Sequence, residues 1–203
     1  MKGLLLKDFY QLWKYCRMFL LCIAVFLAMI FVSGENLFFS LYPALLCGIL
    51  PVTLFSYDER SGWKQFSAAL PCSRAQIVSG KYLLGVILET ASIVLCLAAT
   101  AARPGASGGE VPAMAGLLWC VGFFSPSILL PVVFALGAEK GRVVYLVILA
   151  LIAGSMAALM RASSLGAVAS LSPAILGWAA LGVTALYAAS WLLSIRIYQK
   201  KEL

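Results

Sequence analysis

The chain has 203 residues, of which 63% are hydrophobic and only 11% charged, with a formal net charge of +7. Its mean hydropathy is +1.00. This composition excludes an ordinary soluble domain, which needs charged faces to meet water, and it indicates an integral membrane protein whose solvent is mostly lipid.

The first predicted element is an amphipathic helix over residues 1–16. One face is apolar and aromatic, and the residues that form it are Leu5, Leu6, Phe9, Leu12 and Trp13. Lysines and an aspartate populate the rest of the helix. Aromatic rings suit the headgroup region and lysines suit anionic lipid, so this pattern predicts a helix that lies along the membrane before the first span. A plain cytoplasmic extension of the first span is the alternative.

Six apolar runs follow, each near the length of about 20 residues that a helix needs to cross the hydrocarbon core. They predict transmembrane helices over residues 18–33, 37–56, 82–102, 111–138, 143–160 and 173–195. We therefore expect an all-α integral membrane fold in a single transmembrane domain, residues 1–203. We do not expect the first run to be a cleaved signal peptide, because the segment that precedes it is long and no clear small-x-small cleavage site follows it.

The basic residues divide unequally between the two sides of the membrane. When the loops are assigned alternately, 13 of the 15 lysines and arginines fall on one side, and only Arg103 and Arg161 fall on the other. The positive-inside rule therefore predicts that both termini and the segment 57–81 are cytoplasmic. The net positive charge then reflects topology, and it does not require nucleic acid as a partner.

The segment 57–81 is the longest polar stretch of the chain, and it predicts a short amphipathic helix. Ser61 can cap this helix, and Trp63 and Phe66 share one of its faces. Two carboxylates precede the cap and suit the positive end of a helix dipole: Asp58 and Glu59. The predicted helix runs from Ser61 to Leu70.

A second helix is predicted to follow immediately. Pro71 ends the short helix, and the sequence from Ser73 to Gln76 matches a capping box, in which each of these two side chains satisfies the other's free backbone donor. The new helix should begin at Arg74 and continue into the third span. The segment is thus predicted to be a helix, a tight turn and a helical re-entry.

The aromatic face of the short helix has two interpretations. Trp63 and Phe66 could belong to an aromatic belt at the membrane interface, or they could dock into a cytoplasmic partner. The carboxylates of Asp58 and Glu59 favour docking, because they are not suited to an anionic leaflet but can orient a basic partner.

The stretch "YDERSGWKQFSAALPCSRAQIVSGKYLLG" lies between the second and third of the six predicted spans, downstream of a basic amphipathic helix. It resembles the membrane subunit of type-2 ABC exporters, in particular small bacterial permeases related to the phenol-soluble modulin exporters. The resemblance covers the whole chain, and its specific part runs from Asp58 to Gly85. It implies that the short helix is a coupling helix seated in a groove of an ATP-binding subunit, and that the N-terminal helix is the connecting helix.

The resemblance also implies partners and contact residues. The residues expected to contact the partner ATPase are Asp58, Glu59, Trp63, Phe66 and Arg74, with Pro71 and Ser73 on the turn. Six spans make half of a translocation unit, so a homodimer or a paralogous heterodimer is implied. The implied function is export of amphipathic or hydrophobic substrates, such as membrane-active or antimicrobial peptides. A non-transporting scaffold or immunity protein that recruits a cytoplasmic partner is the alternative.

The chain lacks the usual components of an enzyme. It contains no GxxxxGK[ST] phosphate loop, so ATP and magnesium should bind to a separate chain and no cofactor is expected in this one. It has no histidine, and its six cysteines show no CxxC spacing, so neither a zinc site nor a histidine-assisted nucleophile can be assembled. We expect the cysteines to be small packing residues.

Two features inside the predicted spans have competing interpretations. Glu89 lies about two turns into the third span, where an acid is costly unless it faces protein, water or a partner, and no basic residue lies at matching depth. It could line the translocation path or a dimer interface, or it could be a structural acid that is protonated or snorkelling. Pro126 and Pro131 interrupt the fourth span and predict a kink, which is either a hinge or a static bend.

The stretch "RASSLGAVASLS", residues 161–172, is too apolar for an ordinary solvated loop. The resemblance suggests a re-entrant outer gate, whereas physics alone suggests a short interfacial segment.

Overall fold

The computed structural model describes residues 2–32, 37–68, 73–102, 110–162 and 173–200. Within these ranges the chain is entirely helical, which confirms the all-α prediction. The eight helices are α1 Lys2–Tyr15, α2 Arg17–Val32, α3 Leu37–Arg60, α4 Trp63–Ala68, α5 Arg74–Ala101, α6 Glu110–Leu136, α7 Ala138–Ala162 and α8 Pro173–Lys200.

Several of these helices are long and apolar enough to cross a membrane. In the described part of the chain, the helices that qualify by themselves are Phe39–Arg60, Arg74–Ala101, Met114–Leu136 and Ile175–Lys200. Helices α1 and α2 qualify as a fifth span only when taken together, and they are bent by 75° where they join. The chain is therefore a multi-pass membrane protein with four or five candidate spans, and the predicted count of six is not confirmed.

The outer surface of the helices supports this conclusion. Helix α8 exposes large apolar side chains along much of its length, including Trp178, which is 76% exposed, and Leu192, at 65%. Helix α7 likewise exposes Leu146 and Leu151. Apolar faces of this extent are unfavourable in water and are suited to contact with lipid or with other membrane helices.

Helix α3 extends further than predicted. The polar residues from Tyr57 to Arg60 are its last turn, so the turn out of the span begins at Ser61. Ser61 does not cap the next helix, and its hydroxyl group instead donates to the Asp58 carbonyl oxygen at 3.2 Å. Gly62 has a φ of +68°, a left-handed conformation that glycine adopts without strain and that commonly ends a helix. The predicted cap at Ser61 is therefore wrong.

The restart of the chain at α5 is as predicted. The Gln76 N–H donates to Ser73 Oγ at 3.3 Å, and the Ser73 N–H donates to Gln76 Oε1 at 3.1 Å. This is the complete capping box, and α5 begins at Arg74. Helix α4 begins at Trp63, two residues after the predicted start at Ser61, and Leu70 and Pro71 lie outside the described residues.

The main core is formed by buried residues of α2, α3, α5, α6 and α8, and Tyr82 is its largest fully buried side chain. The Tyr82 hydroxyl group is within hydrogen-bond distance of the hydroxyls of Ser190, at 2.8 Å, and Ser194, at 2.7 Å. Its ring stacks on Trp191 with centroids 5.5 Å apart. Tyr187 donates to the Tyr82 carbonyl oxygen at 2.8 Å. These contacts satisfy the buried hydroxyl groups while the rings fill the space between the helices.

The described cysteines partly fit the prediction that they are packing residues. Cys16, Cys47 and Cys96 are buried, and their thiols are free. Cys22 is exposed, and Cys72 lies outside the described residues.

Candidate functional site

Four charged side chains from three helices meet beside the ends of α3 and α5. This ion-pair cluster consists of Lys7 and Asp8 on α1, Asp58 on α3 and Lys81 on α5. Lys81 Nζ lies 2.8 Å from Asp8 Oδ1 and 2.7 Å from Asp58 Oδ2. Lys7 Nζ contacts Asp58 Oδ1 and lies 3.4 Å from Asp8 Oδ1. The cluster therefore joins the N-terminal helix to the ends of two candidate spans.

The cluster is electrically balanced and mostly buried. Asp8, Asp58 and Lys81 are all buried, whereas the Lys7 side chain is partly exposed. Two lysines and two aspartates sum to zero charge. Each buried ion depends on the others, because an unpaired charge in such surroundings is far costlier than a paired one.

Helix α4 is attached to this cluster through an aromatic ring. Lys7 Nζ lies 4.0 Å from the centroid of the Trp63 ring, a cation–π contact. The Trp63 and Phe66 rings are 5.5 Å apart. Phe66 is 60% exposed, so the aromatic pair has one ring against the cluster and one ring facing outward.

The two predicted contact carboxylates have different surroundings. The Asp58 carboxylate is buried and paired with Lys7 and Lys81, so it faces the inside of the protein, and its contact with a partner remains a prediction. Glu59 is exposed, and its Oε2 accepts a hydrogen bond from the Ala138 N–H at 3.1 Å. Glu59 thus satisfies a free donor at the start of α7 and suits the helix dipole there.

The joint beside Glu59 is a single residue. Gly137 separates α6 from α7 and has a φ of +93°. Its N–H donates to the Val133 carbonyl oxygen at 2.9 Å, which closes the last turn of α6. A Cβ atom at Gly137 would lie 3.4 Å from Glu59 Oε1.

We predict that Gly137→Ala lowers the free energy of unfolding by about 1–2 kcal/mol, because alanine is strained in the left-handed conformation. Thermal unfolding of the purified protein measures the change. Gly182→Ala is the matched control, since a Cβ at this α8 position meets nothing within 4 Å. Equal stability of the two variants would contradict the backbone argument.

Arg74 links the start of α5 to the end of α8. Its Nη1 donates to the Gln199 carbonyl oxygen at 3.0 Å, where a cation also suits the negative end of the helix dipole. A nearby contact joins the same two helices, because Trp191 Nε1 donates to Ser79 Oγ at 3.1 Å. Arg74 therefore has a structural role in this fold, and contact with a partner remains a prediction.

Two of the three residues singled out inside the predicted spans, Glu89 and Pro126, lie close together. Glu89 is fully buried, and a Cβ placed on Gly48 would lie 3.3 Å from Glu89 Oε1 and 3.5 Å from Pro126 Cδ. Glu89 and Pro126 therefore border the same small space. Pro131 lies further along α6, which is helical throughout from Glu110 to Leu136. A hinge at either proline remains a prediction.

Sequence reasoning missed the cluster as a unit. Lys7 and Lys81 were used only to assign the sides of the membrane, and Asp8 was placed on the polar face of the N-terminal helix. The available signal was weak: Asp8 is an acid in an otherwise basic helix, and Lys81 immediately precedes a long apolar run.

Comparison with known proteins gives one match. The family described as "ABC-2 family transporter protein" matches residues 3–199, which is nearly the whole chain. No curated protein and no solved structure matches the chain.

Proposed function

The chain belongs to the ABC-2 family of transporter proteins and is a permease of an ABC transporter, and we propose that it exports amphipathic or hydrophobic substrates, such as membrane-active or antimicrobial peptides. The family implies a partner with an ATP-binding cassette. The proposed direction, out of the cell, and the peptide substrate rest on the resemblance to the phenol-soluble modulin exporters. The exposed apolar faces of α7 and α8 are compatible with a substrate that travels close to lipid.

We propose that α4 is the coupling helix, and one observation carries this assignment. The aromatic pair Trp63 and Phe66 is held from one side by Lys7 and leaves the Phe66 ring 60% exposed. Aromatic side chains that are exposed yet held in place are typical anchors of protein interfaces. The groove that would receive this pair belongs to the ATP-binding subunit, which would bind ATP and magnesium and carry out hydrolysis.

The ion-pair cluster supplies a route for the motion of α4. A force on Trp63 would act on Lys7, which contacts Asp58 on α3 and Asp8 on α1. Lys81 extends the same set of contacts into α5. Closing of the partner ATPases would thereby shift the N-terminal helix and two candidate spans together.

The remaining architecture is proposed from the sequence and the apolar surface. Counting α2 and α7 as spans gives the six-span arrangement, with both termini cytoplasmic in the plasma membrane and α1 along the bilayer. Six spans form half of a translocation unit, so a second permease copy or a paralogue would complete it. The exposed apolar faces of α7 and α8 are available to lipid or to that second copy.

Reconstitution tests this function. The permease is co-expressed with a candidate ATP-binding subunit, purified as a complex and placed in liposomes that contain a fluorescent amphipathic peptide. We expect co-purification, and we expect ATP-dependent peptide movement that stops when the catalytic base of the ATPase is removed. A complex that hydrolyses ATP but moves neither peptides nor other hydrophobic compounds would contradict export and support a scaffold or immunity role.

A further inference from the structure

Two glycines and two buried polar side chains meet between α3, α5 and α6, away from the ion-pair cluster. We call this place the Glu89 pocket, and it is bordered by Gly48, Glu89, Gly122 and Ser125. A Cβ atom at Gly122 would lie 2.8 Å from Glu89 Oε2. A Cβ at Gly48 would lie 3.3 Å from Glu89 Oε1 and 3.4 Å from Ser125 Oγ. The two glycines therefore make the space that the carboxyl group occupies.

The polar atoms of the pocket are buried without partners. Glu89 is 0% exposed. Among the described residues, neither of its carboxyl oxygens has a hydrogen-bond partner, and the same holds for the Ser125 hydroxyl group. Native proteins rarely leave several buried polar atoms together in this condition, so the cluster requires an explanation, such as a bound proton, a water molecule or an ion.

The surroundings of Glu89 supply no positive charge within the described ranges. The titratable groups that interact with it are Cys47 on α3, Cys96 on α5, Tyr145 on α7 and Tyr187 on α8, and none of them can become a cation. On α2, Arg17 and Cys22 are exposed.

The nearest lysine on the same helix cannot serve as the counter-charge. Lys81 lies eight residues before Glu89, which is about 12 Å along the axis of α5. Its ammonium group is already paired with Asp8 and Asp58. A carboxylate at position 89 would therefore be an isolated buried anion, which is costly in a protein interior.

The pocket also has more hydrogen-bond acceptors than donors. An ionised carboxylate only accepts hydrogen bonds, whereas a neutral carboxylic acid donates one. Pro126 has no amide hydrogen, so the Gly122 carbonyl oxygen loses the donor that an ordinary helix provides four residues later. A proton on Glu89 adds a second donor to the one that the Ser125 hydroxyl group can supply.

We propose that the Glu89 pocket is a proton-binding site, in which Glu89 holds one proton as a neutral carboxylic acid. Binding converts the carboxylate and one proton into the acid, with no other reactant. The proton makes the contact between α3, α5 and α6 electrically neutral. This inference does not depend on the exported substrate or on the coupling role of α4, so either can fail without the other.

Infrared spectroscopy of the full-length permease in lipid nanodiscs tests the site directly. A neutral carboxylic acid has a C=O stretching band that is separate from the bands of carboxylates and amides. We expect this band at neutral pH in the wild-type protein and its loss in Glu89→Gln. Glu139→Gln, which replaces an exposed glutamate, is the matched control and should leave the band unchanged.

A second variant keeps the test informative if Glu89→Gln fails to fold. Ser125→Ala removes a hydroxyl group from the pocket and should shift the frequency of the band without abolishing it. Absence of the band from the wild-type protein at neutral pH would show that Glu89 is ionised and would overturn the proposal. Its loss on replacing choline chloride with sodium chloride would also overturn it, because the pocket would then bind a sodium ion.

Discussion

Replacing Lys81 with methionine is expected to lower the free energy of unfolding by about 3–5 kcal/mol, the usual cost of removing one partner from a buried ion pair. Lys81 is buried and contacts both aspartates of the ion-pair cluster. Methionine has a similar length but no charge, so in the part of the chain that the structure describes, Lys81→Met leaves Asp8 and Asp58 with only the partly exposed Lys7. The change is measured by thermal or denaturant unfolding of the purified permease.

Two further variants separate the lost pairing from other effects of the substitution. Lys140→Met removes an exposed lysine and should change stability by less than about 0.5 kcal/mol. The double variant Lys81→Met with Asp58→Asn removes one charge of each sign and should be more stable than the sum of the two single effects predicts. Additive effects would show that the cluster is not energetically coupled.

The sequence predicted the features of the fold that depend on local contacts. The capping box at Ser73 and Gln76 involves residues three positions apart, and the structure reproduces it together with the helix start at Arg74. The end of α3 was misplaced for the opposite reason. Asp58 looks like a solvent-facing acid in a polar stretch, yet it is buried by pairing with Lys7, which is 51 residues away. No local pattern contains that information.

The surroundings of Glu89 also depend on contacts between distant parts of the chain, which local sequence patterns do not contain. The sequence shows no basic residue at the depth of Glu89 in another span, but it does not show which groups surround this acid. The glycines that accommodate it are on other helices, at Gly48 and Gly122, and only the packing of α3 and α6 brings them to Glu89. Glycine occurs in membrane helices for several structural reasons, so the positions of Gly48 and Gly122 in the sequence did not identify the pocket.

Replacing Trp63 with alanine is expected to uncouple ATP hydrolysis from transport. Loss of a central aromatic anchor commonly costs about 2 kcal/mol of binding energy, which corresponds to a roughly 30-fold weaker affinity for the ATP-binding subunit. The variant also removes the cation–π contact with Lys7 and so disconnects α4 from the ion-pair cluster. Affinity is measured with the permease in nanodiscs, and ATP-dependent efflux is measured in liposomes.

Three comparisons make the Trp63→Ala result specific. Trp178→Ala removes an equally large exposed ring from α8, and it should leave the affinity for the ATP-binding subunit unchanged. Trp63→Phe retains an aromatic face over Lys7 and should recover most of the affinity. Phe66→Ala should weaken binding but preserve the link to the cluster, because only Trp63 contacts Lys7 among the described contacts of these two rings. If Trp63→Ala remains folded and both affinity and efflux are unchanged, Trp63 belongs to an interfacial aromatic belt and α4 is not the coupling helix.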